Sequence, residues 1–359
     1  MIKKLLKRIG IVLAILILLF LIFLIVLTVT EFKPEDRENI DISASEEVSA
    51  DAFNTQDSYK LISWNIGYCG LSNTADFFMD GGSYVRENTE DQVYDNLSAV
   101  SLFLSKENPD FIFLQEVDKN SMRSYGVDET AYLSASFENM DTAFATNYKC
   151  LFVPYPLPPI GYIHSGIMTF SSVGITNAER IQLPCPFSWP VRLANLKRCL
   201  MVSRVPVEGS DKELVLVNLH LEAYDDGEGK AAQTQMLKEI LETETAKGNY
   251  VIAAGDFNQA FSNTDTSAYP LIDESYWQAG EIDVSDFDSS WQFLMDSSSP
   301  SCRSLDQAYR GADQDNFQYY VIDGFIVSSN VKVEEMKTVN LEFEHSDHNP
   351  IELQFTLKE

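Results

Sequence analysis

The sequence predicts an α/β domain in which two mainly antiparallel β-sheets pack together with helices outside, preceded by one transmembrane helix. An uncharged apolar run opens the chain. Nine apolar runs rich in β-branched and aromatic residues follow it, and only two segments between them have the period of an amphipathic helix. Because so few helices cannot connect a purely parallel sheet, most strands are expected to pair in antiparallel fashion.

The apolar run lies between Ile9 and Thr30. Its 22 residues, at about 1.5 Å each, are long enough to span a bilayer core of roughly 30 Å. A cleaved signal peptide is the alternative, but it needs a shorter apolar region and a small-residue cleavage site, and no such site closes this run. Cations precede the run and acidic residues follow it. This asymmetry predicts a cytoplasmic N-terminus over 1–8, a membrane anchor over 9–30 and an extracytoplasmic remainder.

The chain after Thr30 is strongly acidic. It carries all 54 acidic residues but 22 of the 26 basic ones, a net charge of −32. Such a charge confers solubility, and it also repels nucleic acid and anionic lipid at long range, so local groups or bound cations would have to attract a phosphate substrate. Five widely spaced cysteines without a CxxC motif exclude a cysteine zinc site and a disulfide-dense miniprotein.

Residues 31–57 are polar and acidic, and we interpret them as a flexible linker before one domain over 58–358. Helices are predicted over 90–107, after a Thr89-x-x-Gln92 capping box, and over 230–247. The predicted strands are 59–66, 110–117, 165–172, 199–208, 213–221, 250–257, 319–327, 331–339 and 351–357.

Two intervals have the composition of long loops. Residues 151–163 contain four prolines and no charge, and form either a buried crossing or an exposed apolar lip that touches lipid. Residues 259–318 are interpreted as an acidic, mostly solvated insertion. Neither interval contains a motif that identifies a substrate.

Polar side chains recur at the ends of the apolar strands. Any one of them has an ordinary explanation as a turn cap or a solvated carboxylate, but their repetition from strand to strand indicates a shared site. Carboxylate and amide oxygens without a Cys/His cluster suit Mg²⁺ or Mn²⁺ rather than Zn²⁺, and histidines beside carboxylates suit proton transfer or phosphorane stabilisation. Together they predict phosphoester hydrolysis. The residues are Asn65, Glu116, Asn218, His220, Asp256, Asn258, Asp323, Asp347 and His348.

At these positions the sequence resembles the endonuclease/exonuclease/phosphatase superfamily, which includes pancreatic-type deoxyribonuclease, bacterial and neutral sphingomyelinases and inositol-polyphosphate 5-phosphatases. The resemblance rests on six motifs in order, SWNIG, LQEVD, NLHLEA, GDFN, VIDGFIVS and SDHNP, and covers about 58–358. It implies a four-layer α/β sandwich with a metal site at one mouth of the sheets. The histidine of NLHLEA is shared with these three branches and absent from the abasic-site endonuclease branch.

The resemblance also implies ligands and water-orienting groups. Glu116 would be the principal Mg²⁺ ligand, with Asn65 beside it and Asp347 near the metal. Asp256 and Asn258 would orient the attacking water and hold the scissile phosphate.

The resemblance further implies roles for two histidines. His348, polarised by Asp323, would be the general base or a transition-state stabiliser. His220 would contact the phosphate and protonate the leaving oxygen, and Asn218, on the same strand, is predicted to contact the substrate phosphate. His164, in GYIHSGIMTFS, either contacts the substrate phosphate or is structural. His345 matches no family position.

A basic interval lies within the acidic domain. No Asp or Glu occurs between Arg180 and Val207, where five Lys and Arg residues fall. They are either surface cations of a strand pair or an anion-receiving surface in which Arg192 or Arg198 contacts substrate phosphate.

The favoured function is hydrolysis of a phosphoester, preferably a diester, by a monomeric membrane-anchored enzyme. The membrane anchor and the apolar segment 151–163 favour a lipid headgroup as the substrate. A nuclease, with DNA or RNA as substrate only, is the first alternative. A catalytically silent module that binds a phosphorylated ligand is the second.

Overall fold

The structure is a computed structural model that describes residues 2–48, 53–86, 89–225 and 227–358. The described residues form four α-helices: α1 (Ile2–Val29), α2 (Glu90–Glu107), α3 (Glu129–Ser136) and α4 (Glu228–Ala246). The strands are β1 (Arg37–Asn39), β2 (Ile42–Ser43), β3 (Tyr59–Asn65), β4 (Phe111–Asp118), β5 (Asp141–Val153), β6 (Gly161–Ser171), β7 (Asn177–Gln182), β8 (Cys199–Pro206), β9 (Glu213–His220), β10 (Tyr250–Asp256), β11 (Gln259–Phe261), β12 (Gly280–Ile282), β13 (Trp291–Leu294), β14 (Cys302–Arg303), β15 (Tyr319–Tyr320), β16 (Asp323–Ser328), β17 (Val331–Thr338) and β18 (Ile351–Leu357).

Two seven-stranded sheets form the domain. The first has the order β1-β7-β8-β9-β10-β16-β13, and the second has the order β17-β18-β3-β4-β6-β5-β2. Among the described strands of these sheets, only β9–β10 and β3–β4 pair in parallel. The prediction of two mainly antiparallel sheets is confirmed, and the two parallel pairs place four strand ends at the site described below.

The hydrophobic core consists of three apolar layers. Between the sheets, side chains such as Phe111, Leu216 and Phe355 form the central layer. On the outer face of the first sheet, Leu237 of α4 packs against strand residues, and Val93 of α2 does the same on the second sheet. The order helix, sheet, sheet, helix confirms the predicted four-layer sandwich.

Helix α2 begins where its capping signal predicts. The Thr89 side chain accepts a hydrogen bond from the Gln92 backbone N–H at 3.3 Å, which satisfies one of the free donors of the first turn. Each predicted strand has a counterpart, except that 319–327 is divided into β15 and β16. In the interval 259–318, which was interpreted as mostly solvated, β13 joins the first sheet.

The predicted linker is partly folded onto the domain. Strand β1 pairs with β7, and β2 pairs with β5. Phe53 is fully buried and stacks on Tyr59 with 3.8 Å between ring centroids. The described parts of 31–57 thus contact the domain through two edge strands and one core aromatic, although their polar composition predicts disorder.

We expect Phe53→Ala to lower the free energy of unfolding by about 3 kcal/mol, because it removes a ring from the central layer. Phe53→Leu keeps most of the apolar volume and should cost about 1 kcal/mol. Guanidinium unfolding of the full chain in detergent measures both values. A loss below about 0.5 kcal/mol for the alanine variant would show that this segment lies outside the cooperative unit.

The connection from β5 to β6 is an exposed apolar lip. Leu157 is 90% exposed and Tyr155 is 68% exposed, although both are large apolar side chains. Of the two alternatives for 151–163, the structure thus shows the exposed one. Helix α1 is the one helix in the described residues that is long and apolar enough to cross a membrane.

Candidate active site

The sheet topology explains why the polar strand ends meet. Glu116 lies near the end of β4, and Asp256 ends β10 beside the end of its parallel neighbour β9. Strands β16 and β18 run antiparallel to β10 and β3, so the beginnings of β16 and β18 lie at the same edge. Asp323 is therefore the first residue of β16, opposite Asp256, rather than an interruption within a strand.

His348 is held between two carboxylates. Its Nδ1 lies 2.8 Å from Asp323 Oδ2, and its Nε2 lies 3.7 Å from Asp256 Oδ2. Burial is the largest influence on the pKa of His348 and lowers it, but Asp323, Cys302 and Asp256 together outweigh burial and raise the pKa well above its ordinary value. This arrangement favours the protonated imidazole, with Nδ1–H donating to Asp323.

His220 has the opposite electrostatic character. Its Nε2 lies 3.4 Å from Asp256 Oδ2, and its buried Nδ1 has no hydrogen-bond partner in the described part of the chain. Burial, and then the neighbouring Arg198 cation, lower the pKa of His220 well below its ordinary value. The surroundings therefore favour the neutral form of His220 and the protonated form of His348, which suits the two imidazoles to different steps.

Asp256 lies at the centre of this hydrogen-bond network. Its Oδ1 accepts from the Asn258 backbone N–H at 2.8 Å, and its Oδ2 accepts from Asn65 Nδ2 at 3.1 Å. The second bond joins the two sheets, since Asn65 ends β3. Burial raises the pKa of Asp256, and nearby Asp323 adds to this although His348 opposes it.

Glu116 is directed toward the site by a break in its strand. The pairing of β4 with β6 shifts register between Leu114 and Val117, and Glu116 there has a left-handed φ of 54°. Such a bulge re-aims a side chain and costs backbone energy for a non-glycine residue. The Glu116 carboxylate accepts from Asn65 Nδ2 at 3.3 Å and lies 3.7 Å from Arg123 Nη1.

Asp347 lies in a tight recess beside Gly67. A Cβ at Gly67 would lie 2.9 Å from Asp347 Oδ1, and Gly67 has a φ of +52°, so both space and conformation require glycine. Burial raises the pKa of Asp347, and the Glu116 carboxylate adds to this against the opposing effect of His348. The buried Asp347 carboxylate and the partly exposed Glu116 carboxylate repel one another, and a hard divalent cation would offset that repulsion, so the donor set fits Mg²⁺ or Mn²⁺.

One cavity of about 780 Å³ joins these groups. Asn65 and Asp323 lie behind its wall and hydrogen-bond to residues that line it. The predicted site residues on the wall are Glu116, Arg198, His220, Asp256, Asn258, Asp347 and His348.

Three predicted substrate contacts lie elsewhere. Asn218 is buried between the sheets, where its Oδ1 accepts from Gln115 at 2.8 Å. His164 is half-buried and its Nε2 lies 3.0 Å from Thr146 Oγ1. Arg192 forms an ion pair with Glu31 at 3.2 Å. None of the three lines the cavity, so the structure gives no support to their role as phosphate contacts.

Two wall residues were missed in the sequence. Arg123 donates two hydrogen bonds to Asp118 and lies 3.7 Å over the Tyr68 ring, so it is a buried cation fixed beside Glu116. Cys302 has its Sγ within 4.8 Å of ligand atoms of Asp347 and His348. Neither lies in a recognised motif: Arg123 is held by Asp118 at the end of β4, and Cys302 by a backbone bridge to His348.

Comparison with known proteins agrees with this architecture. The model of the Endonuclease/Exonuclease/phosphatase family matches residues 62–348. The crystal structure of an endonuclease/exonuclease/phosphatase from Beutenbergia cavernae DSM 12333 is similar with a TM-score of 0.57 and 15% identity, over 84% of this chain and 72% of that chain. A functionally unknown conserved protein from Enterococcus faecalis V583 has a TM-score of 0.53 and 15% identity, over 83% of this chain and 100% of that one.

A D. rerio TDP2 structure complexed with a single-strand DNA product is also similar, with a TM-score of 0.51 and 16% identity over 84% of this chain and 99% of that chain. At such identities these neighbours establish the fold alone. No curated protein matches the chain. Because the family model spans most of the sequence, including the strand-end residues from Asn65 to His348, this chain belongs to the Endonuclease/Exonuclease/phosphatase family.

Proposed function

We propose that this protein is a divalent-metal-dependent hydrolase of phosphodiesters, anchored by α1 with its catalytic domain on the extracytoplasmic side. The observation that carries the proposal is that His348 and Asp256 line the same cavity as Glu116, while Asp323 holds the His348 ring from behind the wall. Imidazoles beside carboxylates can move protons, and a carboxylate cluster can hold a cation that polarises a phosphoryl oxygen, so these groups suit phosphoryl transfer.

Glu116 and Asp347, with Asn65 beside them, would hold Mg²⁺ or Mn²⁺, which polarises a phosphoryl oxygen. A ligand role for Asn65 requires its amide oxygen to turn from the Gly67 N–H, from which it now accepts at 3.0 Å. The charge of that cation would balance the buried carboxylates.

The remaining residues orient the reactants and move protons. Asp256 accepts a proton from the attacking water while Asn258 fixes its carboxylate. The His348 cation neutralises charge on the phosphoryl oxygens, and Asp323 holds its ring. His220 hydrogen-bonds the phosphate and the leaving oxygen, which takes its proton from solvent water as the P–O bond breaks.

The orientation across the membrane rests on charge. Lys3, Lys4, Lys7 and Arg8 precede the apolar run, whereas acidic residues follow it. Positively charged flanks remain in the cytoplasm, so the domain after α1 would lie outside.

A substrate panel tests this proposal. The full chain in nanodiscs would be assayed with Mg²⁺ or Mn²⁺ on sphingomyelin and phosphatidyl lipids in vesicles, plasmid DNA, RNA and inositol phosphates. We expect turnover of at least one diester, abolished by EDTA. Binding of a phosphorylated ligand without turnover of any member would contradict the proposal and favour the non-catalytic module.

A further inference from the structure

Helix α1 is docked on the catalytic domain rather than tethered to it. Leu27 is only 5% exposed, and Trp189 Nε1 donates to Thr28 Oγ1 at 3.2 Å. Directly after the helix, Glu31 lies 3.2 Å from Arg192 Nε and 3.3 Å from Lys197 Nζ. The basic interval predicted to receive a substrate anion thus binds a carboxylate of this chain, and it fixes the end of α1.

The docked helix forms one wall of the catalytic cavity. Phe20, Phe23, Leu24 and Leu27 line it from α1. Opposite them are apolar residues of β5, β6 and the lip between these strands, including Val153, Pro154, Tyr155, Ile160 and Ile163. The same cavity reaches Glu116 and His348, so it has a charged end for phosphate and an apolar end bounded by the anchor.

The apolar end lies at the depth of lipid chains when α1 spans the membrane. Phe23 precedes Thr30 by seven residues, which is about 10 Å along a helix. Phe152 at the base of the lip contacts Phe23, with 6.3 Å between ring centroids. The lip exposes Tyr155 and Leu157 without any charge, as a surface immersed in lipid would.

We propose that this cavity takes the hydrocarbon chain of a bilayer lipid along α1, so that the substrate is a lipid phosphodiester whose phosphate reaches Glu116 and His348. The inference rests on the proposed function and narrows its substrate class. A soluble inositol phosphate has no apolar group for the wall formed by Phe23, Leu24 and Leu27, and a nucleic acid offers bases but no aliphatic chain. The strong negative charge of the domain further disfavours a polyanion.

A chain-length series tests the occupant of the cavity. Methyl p-nitrophenyl phosphate and hexyl p-nitrophenyl phosphate share the scissile bond and the leaving group. Both are soluble in water, so an effect of chain length reports burial in the cavity rather than partition into a bilayer. For the full chain in nanodiscs we expect kcat/KM to rise at least about tenfold from methyl to hexyl, since one buried methylene contributes about fourfold. Leu24→Trp fills the apolar end and should abolish most of that rise.

The matched control is Leu19→Trp, the same substitution at a position that is 56% exposed and outside the cavity. We expect this variant to keep the dependence on chain length. The proposed binding of a hydrocarbon chain in the cavity would be overturned by equal kcat/KM for the two diesters in the wild type. The same increase in kcat/KM from methyl to hexyl in both variants would also overturn it. If the wild-type protein hydrolyses neither the methyl nor the hexyl diester, the proposed function itself is refuted.

A second measurement does not depend on hydrolysis. The wild-type chain would be reconstituted in phosphatidylcholine vesicles whose lipid carries a diazirine in one acyl chain, and then irradiated. We expect cross-links in the cavity wall within 68–79, because bilayer lipid would label the exposed lip in 151–163 whether or not a chain enters the cavity. Labelling confined to α1 and the lip would contradict a lipid chain inside the cavity.

Discussion

His348→Ala is expected to lower kcat for phosphodiester hydrolysis by about 10³- to 10⁴-fold, because it removes the cation that faces the phosphoryl group. The imidazole is buried and bonded to Asp323 at 2.8 Å, so water cannot replace it in a fixed orientation. Steady-state rates on a soluble diester give the change. Asp323→Asn should show a smaller loss, about 10²-fold, since the ring remains but loses the carboxylate that holds its proton.

His345→Ala is the matched control for that loss. It lies three residues earlier, and its Nδ1 is 3.2 Å from Asn96 Oδ1 rather than in the cavity. Its kcat should stay within about threefold of the wild type, since surface changes away from a site have small effects. A His348→Ala enzyme with the wild-type rate, or equal losses in the two variants, would refute the assigned role of His348.

Glu116→Gln is expected to raise the Mg²⁺ concentration for half-maximal activity about 100-fold and to lower kcat/KM about 10³-fold. The amide keeps the size of the side chain but removes its negative charge at the β4 bulge. Arg123, only 3.7 Å away, would then repel a cation with Asp118 alone, rather than Asp118 and Glu116, to offset its charge. Activity titrated against Mg²⁺, together with calorimetric Mg²⁺ binding, measures both changes.

Glu107→Gln supplies the comparison for this variant. Glu107 pairs with Lys60 at 3.3 Å at the end of α2 and does not line the cavity. Its Mg²⁺ dependence should match that of the wild type. If Glu116→Gln also leaves the Mg²⁺ titration unchanged, Glu116 is not a ligand of the catalytic metal.

Much of the fold follows from local sequence signals. The central strands are continuous apolar runs, and the Thr89 capping box gives α2 its start. Strand β5 was missed because Asp141–Val153 mixes small, polar and aromatic residues without clear alternation. Strands β1 and β2 are two or three residues long and form only because long strands offer free edges nearby.

The site could be predicted where its markers are local. Glu116, Asp256 and His348 each stand at the end of a run or just before one, and topology brings such ends together. Asn218 shares a strand face with His220 but lies two residues deeper, between the sheets. Arg192 forms an ion pair with Glu31, which lies more than 150 residues earlier in the sequence. No local sequence pattern predicts that contact.

The docking of α1 on the domain also could not be predicted, because it depends on contacts between residues far apart in the sequence. The apolar run predicts a membrane helix, but hydropathy does not show whether one face of its last turns packs on the protein. That face is defined by Phe152 and Trp189, which lie on two separate segments of the domain. Only the folded arrangement reveals that the anchor and the catalytic cavity share a wall.

Metal-dependent turnover of a phosphodiester tests the central claim most directly. The full chain would be stripped with EDTA, and hydrolysis of bis(p-nitrophenyl) phosphate would be followed before and after addition of Mg²⁺ or Mn²⁺. We expect no turnover in the stripped protein, recovery on addition of either ion, and no recovery in His348→Ala. Turnover that persists in EDTA, or a diester that binds and is never cleaved with either metal, would contradict the account.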